Sequence, residues 1–282
     1  MTIAVSVKVH DGLVLAADSA STLIARDPKT GRTGVSKVYN NANKVSNLHR
    51  NLPIGIASWG AGSIGNASIS TLFKDLRNRF MGVDREYDWS PKTKYTMEQI
   101  SNRVKEFFFD ECYQKEFSDV EGGPSLGFLI AGYSSGKGLA ELWRIDIENG
   151  KCSGPVLRRS EEQVGIDWGG EPEAMLRLLL GFGSGLELAL KEFGVPEDKM
   201  EEALKHIRTK TELTFAVPPM PIQDAIDLAT FLVDATINIY RFLLRPPIVG
   251  GPVDVAAITK HEGFKWIKRK HYYCEEYNPR SI

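Results

Sequence analysis

The sequence has little cysteine, no long hydrophobic run and almost no net charge. Its 282 residues include three cysteines, Cys112, Cys152 and Cys274, without CxxC spacing. A scattered, odd set of this kind is typical of a reducing compartment, so we expect a cytoplasmic protein. No stretch reaches about 18 apolar residues, and Met1–Lys8 lacks the basic and apolar regions of a secretory signal. We therefore expect no membrane segment.

The sequence also lacks an excess of either sign of charge. The 35 Lys and Arg residues face 36 Asp and Glu residues, which leaves a formal net charge of −1. Nucleic acids and anionic membranes bind through a basic excess, so we expect neither as a partner. The five histidines show no HExxH or paired spacing and no finger pattern with a cysteine. We therefore expect no metal and no other cofactor.

Two kinds of periodicity predict the regular elements. Alternating β-branched residues over Ile3–Val9 predict a strand, and the turn His10–Gly12 leads to a second strand, Leu13–Asp18. Apolar residues at helical spacing predict helices over Ile69–Phe80 and Pro221–Leu243, the second being the longest. The chain therefore opens as a tight hairpin and later carries amphipathic helices.

The remaining elements follow in blocks. The patterns predict strands at Lys44–Leu48, Pro53–Trp59, Leu126–Tyr133, Ala140–Asp146, Val253–Thr259 and Lys265–Ile267, helices near Thr96–Phe108, Pro172–Leu180 and Met200–Ile207, and a loop or irregular hairpin over 22–43. Blocks of strands and helices indicate an α+β fold rather than alternating βαβ units. No Pro/Ser-rich linker divides the chain, so we expect a single domain over residues 1–282.

Thr2 is a candidate nucleophile if Met1 is removed, which so small a side chain favours. As the N-terminal residue, Thr2 would then carry both a hydroxyl and a free α-amine. An α-amine titrates near pH ~8, so a useful fraction is neutral and can accept the hydroxyl proton, directly or through one water. Taken alone, Thr2 is more simply an ordinary small residue after the start methionine.

Motifs elsewhere in the chain support a catalytic role for Thr2. Asp18 ends the second strand, Lys44 opens the third, Ile56–Gly62 ends the fourth in small residues, and Gly250–Ile258 leads into a short hairpin. Together these segments, within residues 2 to about 267, resemble the proteasome β-type N-terminal nucleophile hydrolases and their bacterial relatives. The resemblance implies a four-layer αββα sandwich with insertions at about 23–43, 81–95 and 181–215 and a C-terminal tail, 268–282.

The resemblance also implies a catalytic set. Thr2 would attack the substrate, and a buried ammonium at Lys44 would favour the alkoxide-like transition state and hold the pKa of the α-amine down. Asp18 would orient Lys44 and compensate its charge. The backbone N–H of Ser58, where the family usually has glycine, would bind the developing oxyanion.

Substrate-binding residues follow from the same alignment. Ser21-Thr22 and Ser58–Gly60 would form two rims that pair with an extended peptide. Ser46, Ile56 and Gly60 would line the first specificity pocket. Such a pocket is roomy and mostly apolar, so we expect a weak preference for apolar residues before the cut.

Three positions depart from the family pattern. Trp168, Pro246 and Val249 stand where active relatives place Ser and Asp side chains around the threonine amine. None of them can bond the amine through its side chain. Either Asp167, Arg245 or a backbone carbonyl takes over this task, or activity is weak.

The resemblance implies a threonine endopeptidase that hydrolyses peptide bonds of peptides or unfolded proteins in a homo-oligomeric ring. It allows an ATP-dependent unfoldase as a partner. Two alternatives stay open: a catalytically weak or inactive ring or scaffold protein of the same fold, and a self-activated amidase for a small amide. The basic segment Lys265–Lys270 fits a docking segment or, more simply, a solvated tail.

Overall fold

The alternating residues at the start of the chain form the middle of a sheet. The strand β1 (Ile3–Lys8) is buried throughout and pairs with β2 (Leu13–Ala17) across a tight turn. These positions come from a computed structural model, which describes residues 2–26, 33–84, 87, 89–91, 94–118, 122–244 and 246–270. The opening hairpin that the sequence predicts is confirmed.

All strand pairs are antiparallel. The strands after β2 are β3 (Ser21–Arg26), β4 (Thr33–Tyr39), β5 (Val45–Asn47), β6 (Ile54–Gly60), β7 (Ser63–Ile64), β8 (Ala67–Ser68), β9 (Leu126–Gly132), β10 (Glu141–Glu148), β11 (Lys151–Arg159), β12 (Gly165–Gly170), β13 (Asp254–Thr259) and β14 (Gly263–Lys268). One five-stranded sheet has the order β12-β1-β2-β13-β14, and another has the order β11-β10-β9-β6-β5. Two short hairpins, β3-β4 and β7-β8, stand beside them.

Side-chain caps and apolar stripes form the helices where the sequence predicts them. Thr96 and Gln99 form a reciprocal capping box, and Ser68 caps the preceding helix. The helices are α1 (Ile69–Phe80), α2 (Met97–Lys105) with a π-helical continuation over Glu106–Tyr113, α3 (Gln114–Phe117), α4 (Glu173–Met175) with a π-helical continuation over Leu176–Leu180, α5 (Leu186–Glu192), α6 (Glu197–Thr211) and α7 (Ile222–Phe242).

The apolar side chains gather in three clusters. One joins α7 and the segment from α4 to Leu180 to the β1 sheet, and a second joins α1, α2 and the first π-helical segment to the β6 sheet. The third lies between the two sheets and includes Leu15, Ala57 and Leu129. Burial of each large side chain contributes about 1.5–3 kcal/mol. These contacts press the two sheets together and place the ends of β1, β2 and β6 near each other.

The structure contains strands that the periodicity did not predict. β11 is mostly exposed and β12 is rich in glycine, so neither shows clean apolar alternation. The 22–43 region forms the hairpin β3-β4, one of the two forms expected for it. The result is a mixed α and β fold with antiparallel sheets. Among the described residues, no helix is long and apolar enough to cross a membrane.

Candidate active site

Asp18 is the centre of a buried hydrogen-bond cluster at the end of β2. Its Oδ1 accepts from Lys44 Nζ at 2.7 Å and from the N–H of Ile3 at 3.1 Å. Its Oδ2 accepts from the N–H of Ala20 at 3.1 Å and of Gly250 at 3.0 Å. Four donors therefore converge on one fully buried carboxylate, as an ionised acid requires.

The two neighbouring strands bring Thr2 to this cluster. The N–H of Asp18 donates to the carbonyl of Ile3 at 3.2 Å, so the end of β2 lies against the start of β1. On the other edge, Gly170 is opposite Ile3, and the N–H of Glu171 donates to the carbonyl of Thr2 at 2.8 Å. Thr2 is 2% exposed. It is thus held by strands on both sides, next to the residue whose amide binds Asp18.

Burial and the carboxylate act on Lys44 in opposite directions. Its side chain is 9% exposed. Desolvation lowers the pKa of the Lys44 ammonium below its ordinary value, while the charge and hydrogen bond of Asp18 oppose that shift. Burial outweighs the ion pair, so the net shift of the Lys44 pKa is downward, and Asp18 limits that shift.

A second buried ion pair lies near the first, and sequence reasoning did not predict it. The ammonium of Lys270 contacts the carboxylate of Asp254 and donates to Ser19 Oγ at 2.6 Å. Ser19 Oγ in turn donates to the carbonyl of Pro252. Asp254 lies within the motif Gly250–Ile258 that the sequence analysis singled out, but Lys270 stands in a basic run that favoured a solvated tail. That expectation is wrong for Lys270, whose side chain is 5% exposed.

The amide of Ser58 is already bonded. Its N–H donates to the carbonyl of Lys44 at 2.9 Å, as part of the pairing between β6 and the residues leading into β5. The expectation that this amide faces a developing oxyanion therefore needs correction, because the strand register directs it to its neighbour. Alternation along β6 puts the N–H of Gly60 on the same edge, beyond the last residue pair with β5. Gly60 has a φ of +88°.

The expected specificity pocket also changes. Ile56 is fully buried in the cluster that joins β6 to the helices, so it presents no surface to a substrate. Ser46 lies directly opposite Ile56, is half-buried, and donates from Oγ to the carbonyl of Asn47 at 3.2 Å. Of the three predicted pocket residues, Gly60 alone is exposed.

The two predicted rims do approach each other. Ser21 begins β3, and its Oγ is 3.0 Å from the position that a Cβ on Gly62 would occupy. Ser21 and Thr22 are both half-buried. The end of β2 and the turn after β6 therefore flank one region, with Asp18 at its base.

Two of the three positions that depart from the family pattern lie in one apolar cluster, and the third is exposed. Trp168 pairs with Val5, and its side chain packs towards the helices. Val249 is buried in the same cluster, whereas Pro246 is exposed. Arg245 is outside the described residues. None of the three described side chains reaches into the cluster around Asp18 through a hydrogen bond.

Asp167 does not replace the missing amine partner. It is opposite Ser6, four residues along β1 from Thr2, and its carboxylate accepts from Arg158 Nε at 3.2 Å and Arg159 Nε at 2.6 Å. Of the expected replacements, a backbone carbonyl remains. Glu171 follows Gly170, which is opposite Ile3, and its N–H donates to the carbonyl of Thr2. Tyr240 OH holds the Glu171 carboxylate at 2.5 Å.

Trp59 joins the two sheets beside the site. A Cβ on Gly127 would lie 2.2 Å from its ring, and one on Gly169 would lie 2.3 Å away, so both neighbours must be glycine. The guanidinium of Arg144 sits over the ring at 4.8 Å and donates to the carbonyl of Trp168 at 2.8 Å. Trp59 therefore fixes the end of β6 against β12, near the start of β1.

No group of three or more His, Cys, Asp or Glu side chains is arranged to hold a metal ion within the ranges that the structure describes.

Comparison with known proteins rests on the fold. No family model matches the chain, and no curated protein matches it. Solved structures do: Anbu (ancestral beta-subunit) from Yersinia bercovieri, at 16% identity, covers 96% of this chain and 89% of its own with a TM-score of 0.51. A mutant Anbu from Hyphomicrobium sp. strain MC1, at 14% identity, covers 96% and 86% with a TM-score of 0.51.

These matches correct the resemblance drawn from the sequence. The neighbours are Anbu proteins, which are proteasome-like but distinct from the proteasome β-type hydrolases that the motifs suggested. Motif spacing in the sequence alone did not separate the two groups. In fold, the chain is similar to the Anbu ancestral beta-subunits, at the level of a distant relationship.

Proposed function

We propose that the protein is a threonine-type peptidase that uses Thr2 as its nucleophile once the residues before it are removed. The observation that carries this proposal is the shared oxygen of Asp18, which binds both the Lys44 ammonium and the amide that follows Thr2. In this proposal Thr2 is the nucleophile, Lys44 the buried cation and Asp18 its counter-ion, and the three come from separate segments of the chain. The distant likeness to proteasome-like Anbu proteins supports a hydrolase.

The reaction follows from these groups. Thr2 Oγ attacks the carbonyl carbon of the substrate while its proton passes to the α-amine. The tetrahedral intermediate collapses, and the leaving amine takes that proton, which leaves an ester on Thr2. Water, deprotonated by the α-amine, then cleaves the ester and restores the hydroxyl. The Lys44 ammonium stabilises the negative charge that develops on Oγ, and Asp18 keeps Lys44 in place.

Backbone groups, and not side chains, orient the α-amine and bind the oxyanion in this proposal. The carbonyl of Glu171 belongs to the residue that bonds Thr2 across the sheet, and we assign it the orientation of the α-amine. The N–H of Gly60 replaces that of Ser58 as the oxyanion donor, since it lies beyond the paired part of β5. A backbone donor of this kind is worth about 3–4 kcal/mol in other hydrolases.

The substrate in this proposal is an extended peptide or an unfolded protein. Ser21-Thr22 on one side and Gly60 on the other offer main-chain groups for strand addition. The weak preference for apolar residues before the cut stays a prediction, now without Ile56 as a pocket residue. Comparable cleavage of acidic, basic and apolar fluorogenic peptides would contradict it.

The proposed architecture is one four-layer αββα domain over residues 1–282 that assembles into a homo-oligomeric ring in the cytoplasm. The three apolar clusters support the layering. Exposed Phe193, Phe242 and Leu244 favour burial against other copies. The solved neighbours are subunits by name. Folded substrates would need an ATP-dependent unfoldase to open them.

A covalent probe tests the nucleophile. Intact-mass measurement must first show Thr2 at the N-terminus. A peptide epoxyketone, which needs both a hydroxyl and an α-amine, should then add once per chain to the wild type and not to Thr2→Ala. The conservative variant Thr2→Ser should still react. Equal labelling of Thr2→Ala would place the nucleophile elsewhere.

The same measurements separate the second candidate function, an inactive ring protein, which the apolar Trp168 and Val249 favour. In that case the wild type keeps Thr2 free yet neither reacts nor hydrolyses peptides. Size-exclusion chromatography with light scattering tests the ring in wild type and Thr2→Ala alike. A monomer at micromolar concentration would contradict the proposed assembly.

A further inference from the structure

We propose that Lys270 is a positioning residue of the candidate active site: its ammonium, held between Ser19 and Asp254, fixes the segment that carries Asp18 and the substrate rim. The inference rests on the proposed function for its kinetic part. Its structural part concerns a residue beyond β14, more than 200 positions from the segment that it holds.

The contacts form one continuous path. Lys270 binds Asp254 through its ammonium and through its backbone N–H, which donates to Asp254 Oδ1 at 3.1 Å. The same ammonium donates to Ser19 Oγ at 2.6 Å. The N–H of Ser19 donates to the carbonyl of Gly250 at 2.9 Å, and the N–H of Gly250 donates to Asp18 at 3.0 Å.

Burial makes this path stiff. Ser19 and Asp18 are fully buried, Asp254 is 1% exposed, and the Lys270 side chain is 5% exposed. A buried carboxylate whose cation is withdrawn is costly, so Asp254 holds Lys270 in one place. Ser19 stands between Asp18 and Ser21. An ammonium that fixes Ser19 therefore fixes the positions of Asp18, which binds Lys44, and of Ser21, where the substrate rim begins.

Charge gives the inference a second, distinct consequence. The positive charge of Lys270 disfavours the charged form of Lys44, and the negative charge of Asp254 favours it. Among the described residues, the charged groups that act on Lys44 are thus Asp18, Asp254 and Lys270. Loss of Lys270 alone leaves excess negative charge near Lys44 and the α-amine, whereas loss of Asp254 alone leaves excess positive charge.

The test is the pH profile of peptide hydrolysis by the assembled protein. Lys270→Met should move the acid and the alkaline limb together to higher pH, by about half a unit, which is what one partly screened charge produces. Asp254→Asn should move both limbs to lower pH. Lys268→Met, which removes the same charge from an exposed site in the same segment, should leave the profile unchanged.

Folding and positioning are separated by two further variants. Lys270→Arg keeps the charge and should keep the limbs, with reduced kcat because the longer guanidinium displaces Ser19. If Lys270→Met does not fold, the double variant Lys270→Met/Asp254→Asn removes both buried charges. It should fold, keep both limbs near their wild-type pH and lose at least about 10-fold in kcat/KM through the loosened Ser19 segment. Wild-type kinetics in that folded double variant would overturn the proposal.

A readout independent of hydrolysis distinguishes this inference from the proposed function. Acetic anhydride labelling of Lys44, followed over pH by peptide mass spectrometry, reports when its amine becomes neutral. The pH of half-labelling should rise in Lys270→Met and fall in Asp254→Asn. Those shifts without any Thr2-dependent hydrolysis would refute the peptidase and retain the charge coupling. Their absence would refute the coupling whatever the activity.

Discussion

Two buried lysines, one near each end of the layer between the sheets, show what separates a reactive site from a structural one. Lys44 pairs with a carboxylate, whereas the hydrogen bonds of Lys8 to described residues go to backbone carbonyls, of Ser160 at 2.9 Å, Glu161 at 2.6 Å and Gln163 at 2.6 Å. Lys8 therefore ties β1 to the turn between β11 and β12. It has no counter-ion to which a reacting group is also bound.

The partner explains the difference in chemistry. Burial lowers the pKa of Lys8 to about 8, and the charge of Glu162 only partly opposes this shift. Around Lys44 the carboxylate of Asp18 opposes the effect of burial directly and also holds Ile3, beside Thr2. Of these two lysines, Lys44 is the one whose counter-ion also binds the residue next to the proposed nucleophile.

The largest expected effect is on activity at Lys44. Lys44→Met should lower kcat/KM by about 10³-fold or more, since it removes the cation that acts on Oγ. The fold should persist, because three backbone amides still bind Asp18. Kinetics with a fluorogenic peptide and thermal unfolding together check this. Lys8→Met serves as the matched control, and its kcat/KM should stay within about 2-fold.

Asp18→Asn should break both activity and stability. The new NH₂ group must face either the Ile3 and Lys44 donors or the Ala20 and Gly250 donors, so two donors lose their acceptor. With Lys44 left uncompensated, we expect a loss of about 3–5 kcal/mol in the free energy of unfolding. Chemical denaturation measures it. Adding Lys44→Met should recover part of the stability and none of the activity; no recovery would mean that the ion pair is not the cause.

Lys8→Met should cost less, and only in stability. Three partly buried hydrogen bonds to backbone carbonyls are lost, for which we expect a loss of about 2–3 kcal/mol in the free energy of unfolding. The measurement is denaturant unfolding at neutral pH, with kcat/KM as the companion. A drop in kcat/KM equal to that of Lys44→Met would erase the distinction between the two lysines.

The smallest effect is a pH dependence carried by Lys8. Its pKa is about 8 in the folded chain and 10.5 without the protein environment, so the unfolded chain binds more protons between these values. The free energy of unfolding should therefore rise between pH 7.5 and 9.5, by about 1–2 kcal/mol. Lys8→Met should lack this rise in paired denaturation curves. An identical rise in the variant would assign it to other groups.

Local patterns determined much of the fold and part of the site. β1 and β2 follow from alternating β-branched residues around a tight turn, and α1 and α7 follow from apolar stripes. Asp18 follows β2 and Lys44 precedes β5, and the sequence pattern predicts where these strands begin and end. β11 and β12 escaped prediction because their residues lack a clean period of two.

Other features depend on contacts between distant segments. The register of β5 against β6 gives the Ser58 amide to Lys44, and the helices that cover β6 bury Ile56. Neither follows from the local sequence, because a shift of one residue would exchange the faces.

The family resemblance thus predicted the pairing of Asp18 with Lys44, and the sequence pattern predicted the blocks of strands and helices, whereas the role of Thr2 stays a prediction. Only the tertiary structure decided that Lys270 is buried. A basic run looks solvated until a carboxylate elsewhere in the chain, here Asp254, is folded against it. The physical reason is that hydrophobic periodicity depends on residues close together in the chain. The pairing of buried charges depends on groups that meet only when the sheets pack.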